Sequence, residues 1–229
     1  MRENRKLLIL FVVCIVLLML SFGGKQQNDP QVTYEFTVDS DTYTDLSQVS
    51  TEGLPFYDSM EEAIKNANPK MFEGFEYARE VDTQIKMFES DTGIILFYEA
   101  YETSKNGRFV VARFEKRTAG NKDEYGLVSI SPSEIEKGGF GYEKNPEKNV
   151  RFSIQSSQVR NMLGYTLDGE KRFVWGITKL PEVQNVIIEG QKPDEVIAYK
   201  QFDEDWYFWY YTDLQSDKTI DELNIEFVE

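Results

Sequence analysis

Ile94-Ile95-Leu96-Phe97-Tyr98 and Phe109-Val110-Val111-Ala112-Arg113-Phe114, on either side of Ser104-Lys105-Asn106-Gly107, form the stretch that decides the fold. β-Branched and aromatic side chains dominate both runs, and such residues fit a pleated, packed surface. Asn-Gly accepts positive φ at low cost, so the chain turns there into an antiparallel hairpin. Paired runs that are apolar throughout bury both faces, which predicts central places for Leu96 and Val111. Upstream, Thr83, Ile85 and Met87 mark a preceding strand with its turn at Ser90-Asp91-Thr92-Gly93. Downstream, Tyr125 to Ile130 adds a fourth strand, completing a β-meander.

A helix is expected before this meander. Ser59 followed three residues later by Glu62 makes a capping box, and Met60, Ala63, Ile64 and Ala67 supply an inward stripe over about Ser59–Ala67. Tyr57 is placed to pack on Ala63 as a staple, and Asn68-Pro69 ends the helix. Earlier still, Val32, Tyr34, Phe36 and Val38 alternate with polar residues as in a half-buried strand. Asp39, Asp41 and Asp45 lie in an acidic loop. The calcium-loop pattern fails there, because the places for its glycine and its last acid hold Thr44 and Ser50.

After the meander, residues 131–149 are rich in Gly, Pro, Ser, Glu and Lys and read as a long loop or a weak domain boundary. Gly138-Gly139-Phe140-Gly141 has neither the phosphate-cradling nor the dinucleotide-binding spacing, so no cofactor is expected. Further strands are predicted at Val150–Ile154, Arg172–Thr178, Val183–Glu189, Glu195–Phe202 and Trp206–Thr212, with short helical turns near Ser157–Leu163 and Thr219–Leu223. Strands thus outnumber helices, and the fold class is α+β with mainly antiparallel pairing.

Trp206-Tyr207-Phe208-Trp209-Tyr210-Tyr211 is the densest aromatic stretch, with Asp203-Glu204-Asp205 before it and Asp213 after it. In a strand Trp206, Phe208 and Tyr210 share one face and Tyr207, Trp209 and Tyr211 the other. Packing on both faces is the expectation. The functional alternative is a sugar- or peptide-binding platform, with Trp206, Tyr207, Trp209 and Tyr211 stacking and Asp203 and Asp205 accepting hydrogen bonds.

At the N-terminal end, Leu7 to Leu20 is continuously apolar, and no charge interrupts Leu7 to Gly24. Eighteen helical residues reach about 27 Å, close to the roughly 30 Å hydrocarbon core of a bilayer. Arg2, Arg5 and Lys6 precede the span against one acid, Glu3, which holds the N-terminus in the cytoplasm and sends the rest outside. Cleavage after Gly23 and an uncleaved signal anchor are both compatible with the residues. The unbroken Leu/Ile/Val run favours the anchor. The layout is therefore a flank and transmembrane anchor at 1–24, a tether at 25–31 and an exported domain at 32–229.

Composition limits the chemistry. The single cysteine, Cys14, lies within the apolar run, so the exported part has no disulfides. Three of the 25 Lys+Arg and one of the 40 Asp+Glu precede Lys25, which leaves the remainder at about −17. Such a surface repels nucleic acid and anionic lipid headgroups. Histidine is absent, which removes the commonest general base and the usual zinc ligands. No catalytic residue and no metal site is predicted.

Leu54-Pro55-Phe56-Tyr57-Asp58-Ser59-Met60-Glu61-Glu62-Ala63-Ile64, the strands ending Arg113-Phe114-Glu115-Lys116, and Trp175-Gly176-Ile177-Thr178-Lys179-Leu180-Pro181-Glu182-Val183-Gln184-Asn185-Val186 are shared landmarks. With them the chain resembles small membrane-anchored extracytoplasmic proteins of Bacillus-type Gram-positive bacteria. The resemblance covers most of the exported part and implies location, not an active site. The function expected is non-catalytic binding or support in the envelope. The partners are the bilayer, through the N-terminal helix, and a cell-wall polymer or another envelope protein. The alternatives are a carboxylate-based envelope hydrolase and an accessory or sensory subunit of a membrane complex.

Overall fold

In the computed structural model, residues 51–90, 93–103, 106–134, 143–162, 164–167 and 171–228 are described. The predicted anchor, the tether, the Val32–Val38 strand, the acidic loop at Asp39–Asp45 and Gly138–Gly141 lie outside them. No helix among the described residues is long and apolar enough to cross a membrane.

The four meander strands form, but Asn106 and Gly107 open the third strand, paired with Thr103 and Tyr101 and without positive φ, so they do not make the turn. Strands β1 (Thr83–Ser90), β2 (Gly93–Thr103), β3 (Asn106–Ala119) and β4 (Lys122–Glu134) make one antiparallel sheet in chain order. Leu96 pairs with Ala112 and Phe97 with Val111. Alternation turns Ile95, Phe97, Phe109 and Val111 to one face, and Ile94, Leu96, Tyr98, Val110 and Ala112 to the other. Leu96 and Val111 are both buried, as expected, but in different layers of core.

Helix α1 (Met60–Lys65) and the 3-10 turns Pro69–Phe72 and Glu76–Arg79 cover the second face with Ala63, Ile64, Phe72 and Ala78. The Ser59 hydroxyl accepts from the Glu62 N–H at 3.1 Å, as the capping pattern requires. The helix stops at Lys65, short of Ala67, because Asn66 caps its C-terminus. Tyr57 exchanges backbone hydrogen bonds with Tyr125 of β4, at 2.9 and 2.8 Å. Leu54 lies over Gly126, where an added Cβ would come within 2.6 Å of the leucine side chain.

A second sheet packs on the first face. Strands β5 (Val174–Thr178), β7 (Glu195–Gln201) and β8 (Glu204–Tyr211) adopt the order β5-β8-β7, all antiparallel. Phe97 sits at the centre of the join, with ring centroids 5.0 Å from Trp175 and 4.9 Å from Phe208. Behind this sheet lie helix α2 (Pro146–Met162) and a two-stranded sheet of β6 (Val186–Ile188) and β9 (Ile225–Phe227). Val150, Ile154, Val183, Val186, Trp209 and Leu223 fill that outer layer.

Helix α2 corrects two expectations. Val150–Ile154 is helix, not strand, and the helix starts within the segment 131–149 that reads as loop. Pro146 opens the helix, and the Asn145 side chain accepts from the Lys148 N–H at 2.9 Å. Its buried face is Asn149, Val150, Ser153, Ile154, Ser156, Ser157 and Arg160. Small serines there let the helix approach β5, for a Cβ on Gly176 would meet the Ser153 Cβ at 2.5 Å. Arg160 reaches back to Ser131 and Ser133 of β4. The segment 131–149 therefore separates no cores, since residues on both of its sides share the layer around Phe97. Val183 belongs to a 3-10 turn, Pro181–Asn185, before β6 begins.

Candidate functional site

The aromatic strand alternates as its sequence predicts. Trp206, Phe208 and Tyr210 enter the layer around Phe97, whereas Trp209 and Tyr211 enter the layer beneath α2, with Tyr207 packed at its margin. Being the middle strand of a sheet covered on both sides, β8 has no solvent face to offer. The platform reading is corrected accordingly: Trp206, Trp209 and Tyr211 are buried and Tyr207 is half-buried. Asp203 and Asp205 are exposed. Asp205 pairs with Lys200 at 2.7 Å, and Asp213 accepts the backbone N–H of Arg172 at 3.2 Å. The acids around the aromatic run thus serve surface pairs and a loop brace.

A polar cluster does form, and it lies between the two main sheets. Glu99 of β2 is 0 % exposed, on the same side of its strand as Phe97 and Ile95. Its Oε2 accepts from the Tyr101 hydroxyl at 2.5 Å, and its Oε1 from the Tyr199 hydroxyl of β7 at 3.0 Å. Thr83 Oγ1 lies 3.4 Å from the Tyr101 hydroxyl, and Asp82 accepts the Tyr101 backbone N–H at 2.7 Å. No lysine or arginine among the described residues forms an ion pair with Glu99. Burial pushes its carboxyl up to about 7, while the two phenols pull it down less strongly. Burial and the neighbouring carboxylate likewise push the Tyr101 and Tyr199 phenols up. The group therefore gains or loses one proton near neutral pH.

The β7–β8 hairpin turn adjoins this cluster. Tyr199 and Gln201 share the inward side of β7, and Gln201 is buried with neither amide atom hydrogen-bonded among the described residues. The next two residues, Phe202 and Asp203, hold φ of 50° and 63°. A two-residue hairpin turn demands positive φ there and is normally met by Asn or Gly, whereas a phenylalanine so placed is strained. Phe202 is held by packing, its ring centroid 5.1 Å from that of Tyr101. Strain of this kind costs of order 1–3 kcal/mol per residue and persists where the surroundings enforce it.

Sequence reasoning missed Glu99. The available signal was a single acid within Ile94–Tyr101 at an inward position. Among the described residues, no group of three or more His, Cys, Asp or Glu is placed to hold a metal ion. Comparison with protein-family models, curated proteins and solved structures finds no match for the chain.

Proposed function

We propose that the chain is a single-pass membrane protein whose β-rich body stands outside the cytoplasm and works by binding within the cell envelope. The observation that carries this is the uncharged Leu7–Gly24 span behind Arg2, Arg5 and Lys6. The acidity of the remainder suits a solvated body beside an anionic wall, and the resemblance to anchored proteins of Bacillus-type bacteria points the same way. A contact with a wall polymer or envelope protein is proposed at the exposed Asp203 and Asp205, beside the half-buried Tyr207. Protease added to intact protoplasts should digest the body and spare a short N-terminal fragment. A protected body overturns the orientation. Pull-down on purified wall material, with Asp203→Asn/Asp205→Asn and Tyr207→Ala variants, tests the rim.

One observation favours a second reading, a sensory or accessory subunit. Glu99 is a buried group whose charge changes near neutral pH, and it joins two sheets.

A further inference from the structure

We propose that the Glu99 cluster is a proton-operated latch: with its proton, Glu99 holds the β7–β8 hairpin turn against β2, and release of that proton to solvent frees the turn. Three independent features meet at this point. Glu99 and Tyr199 make a bond between strands a hundred residues apart in sequence, at 3.0 Å, so the latch spans both sheets. The turn that would move carries two non-glycine residues at positive φ, and opening relaxes them. Opening also hydrates the Gln201 amide, which the closed form leaves without a partner among the described residues.

The surroundings set the direction. From β1 and the residue before it, Asp82 and Thr83 face the cluster, and Asp82 adds negative charge. From β2 comes Tyr101, and β3 places Phe109 opposite Glu99. From β7 comes Tyr199, while Lys200 pairs on the surface with Asp205. From β8, Trp206 lies opposite Tyr199, and the Lys179 ammonium sits 5.2 Å from its ring and pairs with Glu204. Among the described residues phenols are thus the only donors to the Glu99 carboxylate, and two of them do not match the water it would have when open. Because the closed form holds the carboxyl near 7 and water holds it near 4.5, opening becomes about 300-fold more favourable between the acid and alkaline limits, of which about 100-fold falls between about pH 5 and about pH 9.

Amide hydrogen exchange on the full chain in mild detergent tests this, with protection factors corrected for intrinsic exchange. Between about pH 5 and about pH 9, protection of the β7–β8 turn and its flanking amides should fall about 100-fold, while that of β2–β3 amides at Phe97 and Val111 should hold. Glu99→Gln should flatten the dependence. Unchanged protection in the native protein, or the same fall in Glu99→Gln, overturns the latch. If Glu99→Gln does not fold, Tyr199→Phe decides: it removes a donor to the charged form, so the midpoint must move to higher pH. A midpoint that stays or falls overturns the proposal. Carbon-13 titration of the Glu99 carboxyl gives a further readout, expected near pH 7. A value in the ordinary carboxylate range is incompatible with the latch.

Discussion

Two carboxylates tie the ends of strand β7 to the facing sheet, and they do so in opposite ways. At one end Glu195 meets Lys86 of β1 at 2.6 Å and accepts from the Tyr210 hydroxyl at 2.9 Å. At the other, Tyr199 reaches Glu99 of β2 at 3.0 Å. The first joint is an ion pair at the seam, its Glu195 side chain 46 % exposed, with the ammonium 5.1 Å from the Tyr210 ring. The second is buried and built from phenols. The hydrogen bonds from Lys86 and Tyr210 hold the Glu195 carboxyl below its usual range, whereas burial raises that of Glu99 to about 7. One strand is therefore fastened at one end by a charge and at the other by the absence of one. What decides between them is whether a cation and water reach the carboxylate, not the residue type.

Both joints depend on the aromatic layer between them, and removing it should have the largest effect. Phe97 touches Phe88, Phe109, Phe173, Trp175 and Phe208. Phe97→Ala should cost about 3–5 kcal/mol, by loss of burial and by the cavity left. Chemical denaturation would measure it. A loss below about 1 kcal/mol would mean that the sheets are held chiefly by their polar joints.

The next effect separates the joints by the sign of their pH dependence. For Glu99, the folded carboxyl binds its proton more tightly than the unfolded one. Its contribution is fully present below about pH 4.5 and is lost as pH rises through about 7. The loss amounts to about 3 kcal/mol. For Glu195, with its carboxyl held down, the contribution is present above its unfolded range and lost as pH falls. Urea unfolding of the native protein and of Glu99→Gln should differ in slope over the neutral range, the variant being flatter. Equal slopes would place the titration elsewhere.

The meander and the aromatic strand were legible because their signals are local. Period-two runs supply the strands, and Ser59 with Glu62 supplies the start of α1, whereas Asn106 and Gly107, read as the turn, pair with Thr103 and Tyr101 inside β3. Helix α2 was hidden for a physical reason. The face it buries is mostly Ser, Asn and Arg, packed on Gly176 and on the β4 serines, so no apolar stripe marks it. Only Asn145-Pro146 announces its start. The Glu99 cluster was hidden for a different reason: its meaning lies in Tyr199, which no local pattern links to Glu99. In the aromatic run both the alternation and the packing of its two faces were legible, whereas the layers that cover each face come from distant parts of the chain.

A smaller effect tests the donor side of the buried joint. Tyr199→Phe keeps the ring and deletes one hydrogen bond to a carboxylate, a bond worth about 1.5–3 kcal/mol when the acceptor is charged and about 1 kcal/mol when it is neutral. The variant should therefore lose more stability at alkaline than at acid pH. A loss independent of pH would show that the hydroxyl serves packing and not the charge.

The smallest effect is expected at the exposed joint. Lys86→Met keeps much of the apolar stem over the Phe88 and Tyr210 rings while deleting the charge. Exposed ion pairs contribute roughly 0–1 kcal/mol and weaken with salt. Glu195 keeps water and the Tyr210 hydroxyl after the change, so no carboxylate is stranded in a dry interior. The cost should accordingly stay below about 1 kcal/mol and shrink as salt is raised toward about 1 M, where the screening length is about 3 Å. A cost of several kcal/mol, insensitive to salt, would mean that the Glu195 seam closes to solvent as the Glu99 joint does. The two ends of β7 would then differ in partner alone.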